Sequence, residues 1–231
     1  MKPLALLLVG AILLAACGSD AGPPTADVAG SAPWPDSERL SYLLKNKSGD
    51  VVGRGVLGVE VTGGSVSLRQ SFSGESGSTD EIGVVVDSRS LKPISSRREI
   101  VTAADSELVE VSYSEAGALI KNGDKQSGLS VPEHAYDNDS SLFLWRTLPF
   151  APGYEASYIT IITNQRSRQA VSLAVTGKES VEVPAGRFDA WRLEIKTGNA
   201  DQVAWFADTP SRPLLRYDND RGLIFELERL P

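Results

Sequence analysis

From Leu40 onward the apolar positions recur with a period of two, the spacing that sends alternate side chains to opposite faces of a strand. In Val171-Ser172-Leu173-Ala174-Val175 and Val181-Glu182-Val183 the apolar residues hold the odd positions, while Ser172, Thr176, Lys178, Ser180 and Glu182 take even ones. The alternation returns with Leu57, Val59 and Val61; Val66, Leu68 and Phe72; Val109, Val111 and Tyr113; Trp191, Leu193 and Ile195; and Leu223, Phe225 and Leu227. Strands of this kind have one buried and one wet face, the habit of antiparallel sheets. Turn chemistry separates them: Gly63-Gly64, Asn122-Gly123-Asp124, Pro184-Ala185-Gly186 and Asp218-Asn219-Asp220 fall between runs. The pattern predicts an all-β fold, a curved antiparallel sheet or half-barrel meander of about ten strands.

One stretch breaks the period. Asp137-Asn138-Asp139-Ser140-Ser141 supplies N-cap residues, Leu142-Phe143-Leu144-Trp145 a dense apolar run, and Pro149 a stop. This predicts one short helix near residues 139–148, with Leu144, Trp145 and Leu148 on one side. The expectation is that it plugs or covers the open mouth of the curved sheet and that these three residues line a ligand site beneath it.

The N-terminus is of a different kind. After Lys2, residues 4–16 are apolar, about half of the roughly 20 residues a spanning helix requires and the length of a secretory h-region. Leu14-Ala15-Ala16-Cys17-Gly18-Ser19 resembles the lipobox of bacterial lipoproteins, in which the Cys is acylated and becomes the first mature residue. The expectations are a signal peptide over 1–16, a lipidated Cys17, a Gly/Pro/Ser-rich tether over 17–37, and a single antiparallel β domain over 38–231. The address is the cell envelope: exported, and lipid-anchored to the cell membrane or to the periplasmic face of an outer membrane. Two or three acyl chains hold a protein to a bilayer where one is marginal. Within the tether, Trp34 is expected to fold back onto the domain.

Composition then narrows the chemistry. With 23 Lys and Arg against 30 Asp and Glu, a net charge of −7 and no basic run, the chain lacks the positive field that a phosphate backbone requires, so no nucleic-acid partner is expected. One His and one Cys exclude a disulfide within the chain and a Cys/His zinc site, and no cofactor or metal is expected. A Ser-His-Asp triad would have to use His134, but no Gly-x-Ser-x-Gly elbow accompanies it and its neighbours read as a loop. Asp137-Asn138-Asp139 and Asp218-Asn219-Asp220 lack the Gly and distal Glu of an EF-hand and read as a helix cap and a hairpin turn. Arg97, Arg98, Arg166 and Arg168 read as solvated charges, with contact to an anionic headgroup as the alternative.

Asp139-Ser140-Ser141-Leu142-Phe143-Leu144-Trp145-Arg146-Thr147-Leu148-Pro149-Phe150, followed by Gly153, resembles a segment of an exported family known as domain of unknown function 3108. Leu40-Ser41-Tyr42 leading to Val52-Gly53-Arg54-Gly55 is similar to that family's first hairpin. Glu179 to Phe188, with Pro184-Ala185-Gly186, resembles its Pro-Ala-Gly turn, and Trp205-Phe206-Ala207-Asp208 with Arg212-Pro213-Leu214 its late strand and turn. The resemblance implies a curved antiparallel sheet similar to the carriers that shuttle lipoproteins or lipids across the envelope, and it carries no catalytic residue. The function expected is therefore non-enzymatic: binding or carrying a lipid, an acyl chain or a lipoprotein on the concave face. The alternative is a structural or interaction lipoprotein whose core is filled by its own side chains and whose partner is an envelope protein.

Overall fold

The computed structural model describes residues 24, 26–74, 76–198 and 200–230; residues 1–16 and Cys17 lie outside them. The first half holds β1 (Ser37–Lys45), β2 (Val51–Thr62), β3 (Ser65–Gly74), β4 (Thr79–Asp87), β5 (Pro93–Val101), β6 (Ser106–Ser114), β7 (Gly117–Asn122), β8 (Lys125–Leu129) and β9 (Ala135–Asp137). After a helical stretch come β10 (Glu155–Ile162), β11 (Ser167–Val183), β12 (Gly186–Thr197), β13 (Ala200–Ala207), β14 (Leu214–Asp218) and β15 (Ile224–Arg229). All fifteen join one sheet, ordered β8 back to β1, then β15 back to β9. Neighbours are antiparallel except β9 and β10, which run parallel. The all-β expectation holds, with fifteen strands in place of about ten. The additional ones include β5, β8 and β9, where Pro-Ile-Ser-Ser-Arg-Arg, Lys-Gln-Ser-Gly-Leu and Ala-Tyr-Asp lack an apolar alternation and are held by their ladders.

Hairpin turns alternate between two ends of this sheet. Gly63-Gly64, Ser88 to Lys92, Ser130 to His134, Pro184-Ala185 and Asp208 to Pro213 lie at one end, together with the start of β1. Asn46 to Asp50, Thr102 to Asp105, Thr163 to Arg166 and Asn219 to Leu223 lie at the other. Curvature turns the apolar alternation inward, so Leu40, Leu57, Val59, Leu68, Val84, Leu173, Leu193 and Leu227 meet in one core. Val109, Val111, Ala118 and Ile120 form a smaller core under β6 and β7.

The helical stretch fills the concavity. A 3-10 turn (Asn138–Ser140), the four-residue α1 (Ser141–Leu144) and a second 3-10 turn (Trp145–Thr147) run between β9 and β10, and every residue from Asp139 to Leu148 is buried. The expected helix is present, but its position differs: it is a plug through the interior, not a cover over the open end. The physical reason is that it is apolar all round, with Leu142, Phe143, Leu144, Trp145 and Leu148 all at 7% exposure or less, so no face is suited to water.

The tether also proves shorter than expected, because residues from Asp27 onward pack on the domain. Val28 and Trp34 are each 7% exposed, the Gly30 amide donates to Thr147 Oγ1 at 3.0 Å, and the Ala29 amide to Tyr136 Oη at 3.4 Å. Asp27 accepts from Lys92 and lies 3.1 Å from His134 Nδ1, so His134, read as a solvated loop residue, instead helps to moor this strap. Burial opposes the Asp27 charge, but the bonds from Lys92 and His134 outweigh it and hold the carboxyl below its ordinary value. The strap and the plug's C-terminus cover the first end of the sheet, leaving a shallow cleft of about 560 Å³ between them, and the β11–β12 turn is tied down there by its Ala185 amide, which donates to Leu227 O at 3.0 Å. Gly30 sits so near the plug that a Cβ there would fall 2.2 Å from Thr147 O. Gly30→Ala is therefore expected to release the strap, read as new proteolytic cleavage near residues 27–34 while the circular dichroism of the sheet is unchanged.

A bulge in β11 pairs Val175 with Leu193 and Gly177 with Arg192, leaving Thr176 without a partner. Ala190, Leu193 and Ile195 are buried on β12, whereas Trp191 is only half-buried: its ring packs against the core, stacked on Phe150 with centroids 6.2 Å apart, and its Nε1 donates to Asp208 Oδ1 at 2.8 Å, with Lys178 Nζ 4.5 Å from the ring.

Candidate functional site

The second end of the sheet remains open over a cavity of about 630 Å³. Its floor is apolar and aromatic, made by Leu142 and Trp145 of the plug, Phe72 of β3, Tyr158 of β10, Ile195 of β12 and Phe225 of β15. Its walls and rim are polar, with Gln70, Gln169, Gln202, Asn164 and Asn219 and three arginines, Arg98, Arg168 and Arg221. A volume in this range suits a small ligand, and the division into apolar floor and polar mouth suits an amphipathic one.

The plug is set in place by its own hydrogen bonds. Trp145 Nε1 donates to Tyr158 Oη at 3.1 Å, and Ser141 Oγ lies 3.1 Å from the same oxygen. Burial pushes the Tyr158 hydroxyl up to about 12. Asp137 Oδ1 caps the first turn by accepting from the Asp139 amide at 2.8 Å, and its Oδ2 accepts from Tyr113 Oη at 2.5 Å. Asp137 is wholly buried, which pushes its carboxyl above the ordinary value. Arg98 grips Asp80 through Nε at 3.0 Å and Nη2 at 2.6 Å, and reaches Asp139 Oδ1 through Nη1 at 3.3 Å. Gln70 donates to the Asp139 carbonyl. The Asp137-Asn138-Asp139 cluster is thus a helix cap, as expected, and Asn219 Oδ1 organises the other cluster as a turn by accepting from the Arg221 and Leu223 amides.

At its other end the plug is riveted by Arg146, which is 2% exposed. Its Nη1 and Nη2 donate to Glu38 Oε2 and Oε1 at 2.6 and 3.1 Å, Nη2 to Ser211 O at 2.6 Å, and Nε to Arg212 O at 3.0 Å. The Arg-x-Leu-Pro motif in this segment is accordingly structural: one guanidinium joins the plug, β1 and the β13–β14 turn.

The three residues expected to contact ligand separate. Trp145 is in the cavity floor; Leu144 is buried in the core and does not line the cavity; Leu148 lies at the closed end, beside the strap. The polar rim from β11, β13 and the β14–β15 turn escapes sequence reasoning because Gln169, Gln202 and Asn219 carry no periodic signal. Of the four arginines read as solvated charges or headgroup contacts, Arg98 and Arg168 line the cavity, and Arg98 is held by Asp80 and Asp139 instead of being solvated. Arg168 Nη1 donates to Ser130 Oγ at 2.8 Å, and neither Arg168 nor Arg221 is in an ion pair among the described residues. Among the described residues no group of three His, Cys, Asp or Glu side chains is placed to hold a metal, and no helix is long and apolar enough to cross a membrane.

Burial, reinforced by the nearby Asp137 charge, pushes the Asp139 carboxyl from its usual 3.8 up to about 6. The folded protein therefore holds this proton at pH values where the unfolded chain has released it, and the stability it contributes is lost as pH rises through about 6. Compared with Asp139→Asn, which cannot titrate, the native protein is expected to lose stability more steeply between about pH 4 and pH 6. Urea denaturation at stepped pH tests this, and parallel curves for the two proteins would contradict it.

Residues 41–220 match the family model described as protein of unknown function (DUF3108), and the chain belongs to that family. Among solved structures it is similar to a β-barrel-like protein of domain of unknown function DUF1849 from Brucella abortus. The two share 10% identity and a TM-score of 0.56 over 87% of this chain and 98% of the other, which is a likeness of fold. Two weaker likenesses, each at 13% identity and TM-score 0.33, are to a protein from Bacteroides fragilis described as exported with a YmcC-like fold and to one from Parabacteroides distasonis described as a lipoprotein. They cover 88% and 87% of this chain and 99% of each of the others. No curated protein matches the chain in sequence.

Proposed function

We propose that this protein is an exported lipoprotein, held to the envelope through acylated Cys17, that binds one anionic amphiphile such as a fatty acid or the acyl end of a lipid. The observation that carries the reading is the division of the open-end cavity: Phe72, Trp145 and Phe225 form an apolar floor suited to a hydrocarbon chain, and Arg168 and Arg221 offer unpaired positive charge at the mouth of a chain with net charge −7. Apolar contact supplies affinity and the arginines favour a carboxylate or phosphate head. The lining favours binding over catalysis, since Asp139, its one carboxylate among the described residues, is engaged by Arg98.

Titration of the purified protein with a fluorescent fatty acid tests the reading. Saturable binding is expected, weakened about tenfold, or roughly 1.4 kcal/mol, by Arg168→Glu with Arg221→Glu. Equal affinity for a fatty acid and its uncharged methyl ester would remove the arginines from the account. A second reading has its own support: the plug fills the concavity from the cavity floor to the closed end, as in an interaction module with a self-filled core. It predicts no saturable uptake.

A further inference from the structure

The chain enters the folded body at the closed end, and the cavity opens at the other. Asp27, the first strap residue moored to the body, is bonded to Lys92 and His134 in the β4–β5 and β8–β9 connections, which belong to the closed end. The cavity rim carries Asn164, Gln165, Asn219 and Arg221, from connections at the opposite end. Nine residues separate Cys17 from Asp27, so the two are at most about 35 Å apart even when the chain is drawn out. A strand such as β2, with 12 residues, spans roughly 40 Å along its own direction. Even drawn out, the anchor's reach is therefore shorter than such a strand of the body it holds.

We propose that the protein stands on its closed end, with the cavity mouth directed away from the bilayer that holds Cys17, so that its amphiphile is exchanged with a donor or acceptor across the aqueous space and not with the anchoring membrane. The inference rests on the lipid anchor and on the cavity being a binding site. Moored by Asp27, Gly30 and Trp34, the strap fixes which end meets the membrane, a role that a freely jointed tether would not have.

The test uses the full-length, acylated protein in vesicles. Cys17 is the chain's one cysteine and is consumed by acylation, so a cysteine introduced at Arg89, in the closed-end β4–β5 turn, or at Ser48, in the open-end β1–β2 turn, takes a fluorophore at a single place. Both residues are exposed, and neither lines the cavity. Energy transfer to an acceptor lipid is expected to be severalfold stronger from Arg89→Cys than from Ser48→Cys. Gly30→Ala, by loosening the strap, is expected to narrow the difference. Equal transfer from the two sites, or stronger transfer from Ser48→Cys, overturns the proposal. Failure of the protein to float with the vesicles overturns it through the anchor, and leaves fatty-acid binding in solution as an independent result. If instead the anchored protein takes labelled fatty acid from its own vesicle as fast as from separate donor vesicles, the orientation stands without the proposed exchange, and the proposal fails on that count.

Discussion

Arg146→Met is expected to lower the unfolding free energy by about 3 to 5 kcal/mol, the cost of leaving one member of a buried ion pair without its partner. The substitution keeps most of the side-chain volume but removes five donors, stranding Glu38 and the carbonyls of Ser211 and Arg212. Glu38 is itself only 7% exposed along its side chain, so water cannot readily replace the guanidinium. Adding Glu38→Leu to Arg146→Met should recover much of the loss, because the uncompensated charge is then gone. Urea denaturation of the two single variants and the double variant measures the coupling. A single-variant cost below about 1 kcal/mol would mean that the plug is not held by this pair.

The second large effect concerns the strap. A chain beginning at Glu38 is expected to be about 2 to 4 kcal/mol less stable than one beginning at Asp27, since it exposes the surfaces covered by Trp34 and Val28 and forfeits the Gly30–Thr147 bond. Part of the gross burial is offset by the entropy of ordering eleven residues, which sets the lower figure. It also leaves the Val61 amide without the Asp36 carbonyl, 2.7 Å away. Thermal unfolding of the two chains decides it, and equal melting temperatures would make the strap an ornament of the surface.

The strap shows where sequence reading met its limit. Residues 18–37 contain almost no large apolar side chain, and by composition they are a tether. Trp34 does fold back as expected, but it brings the preceding residues with it: Val28 is buried, and the Ala29 and Gly30 amides find Tyr136 and Thr147 more than a hundred positions away, contacts that no local pattern announces. Strand existence was legible where burial is one-sided, as in Val171, Leu173 and Val175, because the period of two is imposed by the sheet itself. It was not legible in β5 or β8, where the ladder rather than the side chains determines the strand. The alternation of Trp191, Leu193 and Ile195 was legible, but the bulge at Thr176 in the facing β11 was not, because nothing in the residue types there marks it. The helix was legible from its caps and its dense apolar run. Its destination follows from the same residues: an element with large apolar side chains on every side belongs inside, and its buried charges had to be met, Arg146 by Glu38 and Asp139 by Arg98.

The candidate site was half visible. Trp145 could be named because the plug's apolar run is conspicuous, and Arg168 because a charge on a strand face invites a question. The remainder of the rim comes from three separate connections, brought together by curvature that alternation alone does not specify. That curvature also explains why a chain with so much of its concavity filled still retains a cavity at one end: the plug ends at Asn138, and nothing among the described residues continues it to the open rim.

The central claim is that an amphiphile occupies the open-end cavity between Trp145 and the arginine rim. Its most direct test is fatty-acid titration of the native protein beside Gln169→Trp, a substitution at a half-buried rim position that would place an indole in the mouth of the cavity without touching the plug's anchors. The account predicts saturable binding at one site in the native protein and at least a tenfold loss in the variant, with the unfolding midpoint essentially unchanged. Saturable binding of equal strength in both proteins, or none in either, would contradict it.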